Sequence, residues 1–320
     1  MKTLLLLLAL LSPCVWADLQ TAIDAYQQGN DEQAKRLFSA SEQQPQAKIY
    51  LARIWQNQDL DIAESWINKG LKQDPDNPLA HFVKGSVMAN QASNSSIFSA
   101  YGYAKDSLKA FEKAVELAPD NVQFRQGLMQ FYLQAPGIAG GDDKKALQQV
   151  EAIEKLKPLA GIKARLRYLK ETEDETGYQK LLEQAKQQYH NNADFYFLAA
   201  MNLQQEKQYQ QALRLFEKAS ALASAEQDKG FDNFNALYQM GRTAVLAEDF
   251  LEQGIGALQR YLQDAPDNRQ LPEKYWARFR LANLLELSGE SGQATEIYQS
   301  LLAIGDKRLS EQVKKQLNQS

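Results

Sequence analysis

Catalysis needs side chains that hold, share or move a proton, and the 320-residue chain has few candidates. A histidine pair could shuttle a proton near neutral pH. Its two histidines, His81 and His190, fall on separate helical segments, one inside a helix and one just past another, which fits exposed or capping roles. Glu171, Glu173, Asp174 and Glu175 form an acidic run. Paired carboxylates do acid–base work only where a buried cleft separates their pKa values, and this run lies in a polar stretch between helical patterns. Gly289-Glu290-Ser291-Gly292 is a near miss for a nucleophile elbow, and its glycines suit a turn between helices. Gly140-Gly141-Asp142-Asp143 lacks a full calcium-loop or phosphate-loop pattern. Lys163, Arg165, Arg167 and Lys170 spread round half a helix with Leu166 and Leu169 between them. That pattern fits a solvated face, or a contact for an acidic partner or anionic headgroups. No catalytic residue, cofactor or metal ligand is assigned, and the expectation is a protein that is not an enzyme.

The composition narrows the partners. Lys and Arg number 36 against 40 Asp and Glu, a net charge of −4, which argues against nucleic acid. One Cys excludes a disulfide framework. Apolar residues at 44% suffice for a core, while Gly and Pro are scarce and Ala, Leu, Gln, Glu and Lys abound. An all-helical chain follows.

The first residues read as an address. Met1-Lys2-Thr3 gives a positive start, Leu4 to Leu11 an unbroken apolar run, and Val15-Trp16-Ala17 a cut after Ala17. The run is shorter than the roughly 20 residues that span a bilayer, and no integral span is expected. The alternative is a lipoprotein anchored through Cys14. It would need a small residue where Pro13 stands. Cleavage after Ala17 removes Cys14 and leaves no thiol.

Beyond residue 20 a pattern repeats. KAFEKAVELAPDN at 109–121 and QALRLFEKASALAS at 211–224 share an aromatic followed three places on by a small residue. DPDN at 74–77 and APDN at 118–121 and 265–268 place Pro just past an amphipathic helix. A small residue, a bulky one four later and a third contact three beyond recur. They appear as Ala34/Phe38/Ser41, Ala63/Ile67/Gly70, Ser107/Phe111/Ala114 and Ala146/Val150/Ile153. They continue as Leu181/Ala185/Gln188, Ala212/Phe216/Ala219, Gly254/Leu258/Tyr261 and Ala294/Tyr298/Leu301. These positions share one helix face. Gly85, Ala199-Ala200, Gly241 and Ala282 mark the partner helices.

These residues resemble the tetratricopeptide repeat family, whose unit at 193–226 is matched best, through Tyr196, Ala199-Ala200, Tyr209, Ala212, Phe216 and Ala219. It departs at Ser224, where Pro is usual. The resemblance covers about 20–305, most weakly over 160–189. It implies an all-α, right-handed superhelical solenoid of about eight stacked helix-turn-helix units with a C-terminal cap helix. The expected divisions are a signal segment at 1–17, repeat-like units at 18–76, units with two insertions at 77–159, further units at 160–305 and the cap at 306–320.

Two surfaces are candidates for binding. Extra residues appear between Gly85 and Ser107 and again at 133–143, and both should emerge on the same edge. Phe98, Tyr101 and Ile138 are then anchors on a shared ledge, unless the two insertions merely pack on each other. A third insertion lies near 225–233. First-helix positions should line an inner groove: Phe82 and Ser86, Gln126 and Gln130, Phe197, Asn202 and Gln205, Tyr238 and Arg242, then Trp276, Phe279, Arg280 and Asn283. Amides bond a peptide backbone in both directions, aromatics give contact area, and Arg forks onto a carboxylate. The same positions also fit ordinary inter-repeat packing. The expected function is an exported, non-enzymatic scaffold binding another envelope protein or an extended peptide, in the periplasm or secreted. The alternatives are a membrane-tethered subunit of an envelope assembly and, further off, a small-ligand receptor or enzyme.

Overall fold

The computed structural model describes residues 13–222 and 231–318. Among them are α-helices, two short 3-10 turns and no strand. The apolar run 4–11 lies outside the described residues, as does most of the insertion near 225–233. The chain divides into two units, 1–181 and 182–320.

The first unit runs in pairs. α1 (Pro13–Gln27) meets α2 (Asp31–Ala40), and α3 (Pro45–Trp55) meets α4 (Leu60–Gln73). α5 (Pro78–Asn94) meets α6 (Ile97–Leu117), and α7 (Val122–Gln134) meets α8 (Asp143–Leu156). α9 (Pro158–Glu171) and the start of α10 (Glu175–Gln188) complete it. The second unit holds the rest of α10. It continues with α11 (Ala193–Gln205) and α12 (Tyr209–Ala221), α13 (Asp232–Ala247) and α14 (Leu251–Asp264), α15 (Lys274–Leu287) and α16 (Ser291–Leu301), then α17 (Lys307–Leu317).

The bulky seam residues Phe38, Ile67, Phe111, Val150, Phe216, Leu258 and Tyr298 are all buried. Each contributes about 1.5–3 kcal/mol. The small partners let the helices touch. A Cβ on Gly85 would lie 2.7 Å from the Phe111 ring, and one on Gly241 2.3 Å from Leu258 Cγ. Ser107 adds a bond, its Oγ donating to the Gly85 carbonyl at 2.7 Å.

One register differs from expectation. In α10 the buried set is Tyr178, Leu182 and Ala185, while Leu181 is half-buried and Gln188 exposed. Asp174 fixes the helix start, its Oδ1 accepting from the Gly177 N–H at 2.9 Å. That start turns Tyr178 inward, into the place a small residue takes elsewhere.

The Asp-Asn turns work as stops and starts. Asp74 and Ala118 end α4 and α6. Asn77 and Asn121 then cap α5 and α7 by accepting from the Ala80 and Phe124 N–H groups at 3.0 and 3.1 Å. The turn at 265–268 differs. Asn268 accepts from Gln270, and α15 waits until Lys274. Leu271 is buried in between, and Tyr261 donates to the Pro272 carbonyl.

The side chains described as buried in α1 are Leu19, Ala22, Ile23, Ala25 and Tyr26. α17 closes the other end. It buries Leu309 and Val313 and exposes Lys307, Lys314 and Lys315. The Tyr275 hydroxyl on α15 donates to Asp306 Oδ2 at 3.2 Å.

Gly241→Ala should lower unfolding stability in urea by about 1–3 kcal/mol, because the new methyl overlaps Leu258. Gly256→Ala is the control: a Cβ there meets nothing within 4 Å, and the variant should gain up to about 1 kcal/mol from helix propensity. Burial, then the nearby Asp306 carboxylate, pushes the Tyr275 phenol up from 10.0 to about 12. Its unfolded form ionises first as pH rises. Its stabilising contribution is therefore whole below pH 10 and lost between 10 and about 12. Tyr275→Phe should flatten that part of the alkaline melting curve.

Candidate functional site: an uncharged cavity in the first unit

α5 and α6 are long, 17 and 21 residues, against 13 each in α11 and α12. The extra residues before Ser107 are therefore helical turns rather than a loop insertion. Ser95 and Ser96 make the bend between the two helices. The second insertion is the 3-10 turn Gly137–Ala139. It packs against α6: Gly140 takes φ +109, and a Cβ there would lie 2.5 Å from Leu108. The two features do sit on one edge.

Between them and the first helices lies a cavity of about 1070 Å³. Phe82, Phe111 and Phe131 line its base. Phe82 stacks on Phe124 at 5.0 Å and meets the edge of Phe111 at 5.6 Å. Gly127 makes room, since a Cβ on it would stand 2.5 Å from the Phe82 ring. The lengthened start of α6 supplies Ile97, Ala100, Tyr101 and Ala104, and the 3-10 turn supplies Pro136, Ile138 and Ala139. Tyr132 stands beside Phe131 in the same core. Its hydroxyl donates to Glu112 at 2.8 Å, and burial followed by that carboxylate pushes the phenol up.

The remaining wall is polar without charge. α7 presents Gln123, Gln126, Gln130 and Gln134, at i, i+3, i+7 and i+11 on one helix face. None of these four side chains makes a hydrogen bond among the described residues. Other glutamines are spent: Gln91 is buried and donates to Asp61 at 2.8 Å. About one residue in four of the chain is charged, yet no residue lining the cavity is.

Tyr101 and Ile138, expected on a ledge, and Gln126 and Gln130, expected in a separate groove, line this one cavity. Phe98 does not. It is 92% exposed at the tip of α6 and is absent from the lining, where Ile97 takes its place. Positions 97 and 101 share a helix face, while 98 is turned about 100° away. Gln123 and Gln134 were legible only as a Gln repeat at helical spacing.

No family model matches the chain, and no curated protein matches it. Solved structures do. Yeast Tom70 is 14% identical with a TM-score of 0.65, over 99% of this chain and 67% of that one. TTC0263, a thermophilic tetratricopeptide repeat protein of Thermus thermophilus, is 14% identical over 72% of this chain and 99% of its own, with a TM-score of 0.44. The fold is that of the tetratricopeptide repeat proteins.

In the second unit the expected groove residues bind other side chains of the stack instead. Arg242 donates to Gln204 Oε1 at 2.6 Å, and buried Gln204 donates to Thr243 at 2.7 Å, tying α11 to α13. Arg280 lies 5.2 Å over the ring of buried Tyr238 and donates to its hydroxyl at 2.9 Å, tying α13 to α15. Asn283 is buried and donates to the Tyr298 hydroxyl at 2.7 Å, within the α15–α16 pair. Asn202 and Gln205 are not free either. Phe197 packs on Phe216, and Trp276 on Phe279. Tyr238, Arg242, Arg280 and Asn283 are therefore staples of the tetratricopeptide stack. A first-helix position faces both the groove and the next repeat, and here a neighbour's side chain lies within bonding reach.

Several of the residues considered for chemistry have structural partners. A His81 ring nitrogen lies 2.8 Å from the Pro75 carbonyl. Arg165 forks onto Glu154 at 2.9 and 2.8 Å. Glu173 and Asp174 form the turn before α10. Gly289, at φ +89, turns the chain between α15 and α16. Among the described residues no cluster of His, Cys, Asp and Glu could hold a metal, and no helix is long and apolar enough to cross a membrane.

Asn283→Ala should cost about 0.5–1.5 kcal/mol in urea unfolding, because the Tyr298 hydroxyl loses the bond from Asn283 and keeps the one it donates to Glu286 Oε2 at 3.1 Å. It should leave any ligand affinity of the first-unit cavity unchanged within twofold.

Proposed function

We propose that this chain is a non-enzymatic repeat scaffold that takes up a segment of a partner protein in the cavity of its first unit. One observation carries the proposal: a large apolar hollow whose polar wall is a row of glutamines with no internal partner. Amides left unpaired inside one molecule are free to pair with another. The fold supports the same role, since repeat stacks of this kind commonly serve protein–protein interaction.

The scaffold works outside the cytoplasm, in the periplasm or secreted, with another envelope protein as its partner. Met1 to Ala17 reads as an export address.

A photocrosslinking residue at Gln126 or Ile138, in the host cell, should give a discrete adduct with another protein. The same residue at exposed Glu252 in the second unit should not. Adducts absent at both cavity positions would overturn the binding role. The mass of the isolated protein tests export: a chain starting at Asp18 supports it. Intact Met1 would refute it, and an acylated Cys14 would mark the membrane-tethered form.

A further inference from the structure

We infer that the occupant of this cavity is an extended, uncharged stretch of polypeptide with bulky apolar side chains, gripped through its main chain by the glutamine row. This deepens the binding role above and rests on it.

The row fixes the kind of occupant. Gln123 to Gln134 spans about 16 Å along α7, the length of about five residues of extended chain. An extended chain carries free N–H and C=O groups along its edges, and each Gln amide both donates and accepts. A helical segment has already spent those groups on itself. An acyl chain has none to offer and would leave the row facing only water.

The apolar lining fixes the side chains. Ile97, Tyr101 and Ile138 share the lining with the amides, together with Phe82. Side chains of an extended segment alternate from face to face. One set meets this apolar lining while the main-chain edge meets the amides. Ile97 and Ile138 are 83% and 79% exposed, so covering them removes apolar surface from water.

The missing charge fixes the rest. A Lys or Glu of the segment would lose water in the cavity and find no opposite charge there. Lys105 sits 5.6 Å over the Tyr101 ring and is not part of the lining. Recognition is then independent of ionic strength, unlike a clamp built on Arg and Lys.

The test uses the chain Asp18–Ser320 and a randomised library of end-capped octapeptides. Selected peptides should lack Asp, Glu, Lys and Arg at their central positions and alternate apolar residues there. Their affinity by fluorescence anisotropy should stay within twofold between low and high salt. Methylating the central backbone nitrogens should weaken binding about tenfold or more, as should Gln126→Leu with Gln130→Leu. Both glutamines are half-buried without partners, so thermal unfolding of that variant should match the parent. Selection of charged peptides, or binding indifferent to backbone methylation, overturns the main-chain grip and leaves the crosslinking result standing. Tighter binding of a fluorescent fatty acid than of any peptide overturns it too. Absence of crosslinked adducts in the cell would remove the binding role itself.

Discussion

Close approach between the two helices of a pair is the constraint on which the rest depends. It is clearest where α5 meets α6. Gly85 has no side chain, Phe111 fills the space, and Ser107 bonds across to the Gly85 carbonyl. The contact fixes the distance between the helices and their register together. Once it is set, the number of turns added beyond it decides how far the pair projects. The same logic at Gly241 and Leu258 holds α13 on α14.

The cavity follows from that geometry. α6 begins about three turns before Ser107, so its first residues overhang α7 rather than cover a neighbour. The 3-10 turn after α7 fills the side, held by Gly140 against Leu108. Gly127 then lets Phe82 lie across the base. Each piece has an ordinary packing reason, and together they leave a hollow that nothing among the described residues of the first unit fills.

Glutamine has two fates in this molecule. In the second unit Gln204 is buried and shared between Thr243 and Arg242, where it joins successive repeats. In the first unit the glutamines on α7 face the hollow and bond to nothing described. A residue type that commonly coats solvated faces therefore does two other things. Which of them it does depends on whether a donor or acceptor from the next repeat stands within reach.

The sequence determined the helix pairs, because the i, i+4, i+7 spacing of small and bulky residues is a local pattern that dictates which face is buried. It also placed the cap helix, the Pro-marked stops after α4 and α6, and the shared edge of the two insertions. It misjudged α10, where a bulky Tyr178 occupies a small residue's place, because the helix start depends on one cap at Asp174. It misjudged the first insertion as well, since helix and loop compete closely over a polar stretch such as Ser93 to Ser96. Only the tertiary structure separated Gln126 and Gln130 from Tyr238, Arg242, Arg280 and Asn283. All six lie on first helices. A side chain there is free or spent according to what a neighbouring helix brings within about 3 Å, and that distance is set by packing between helices.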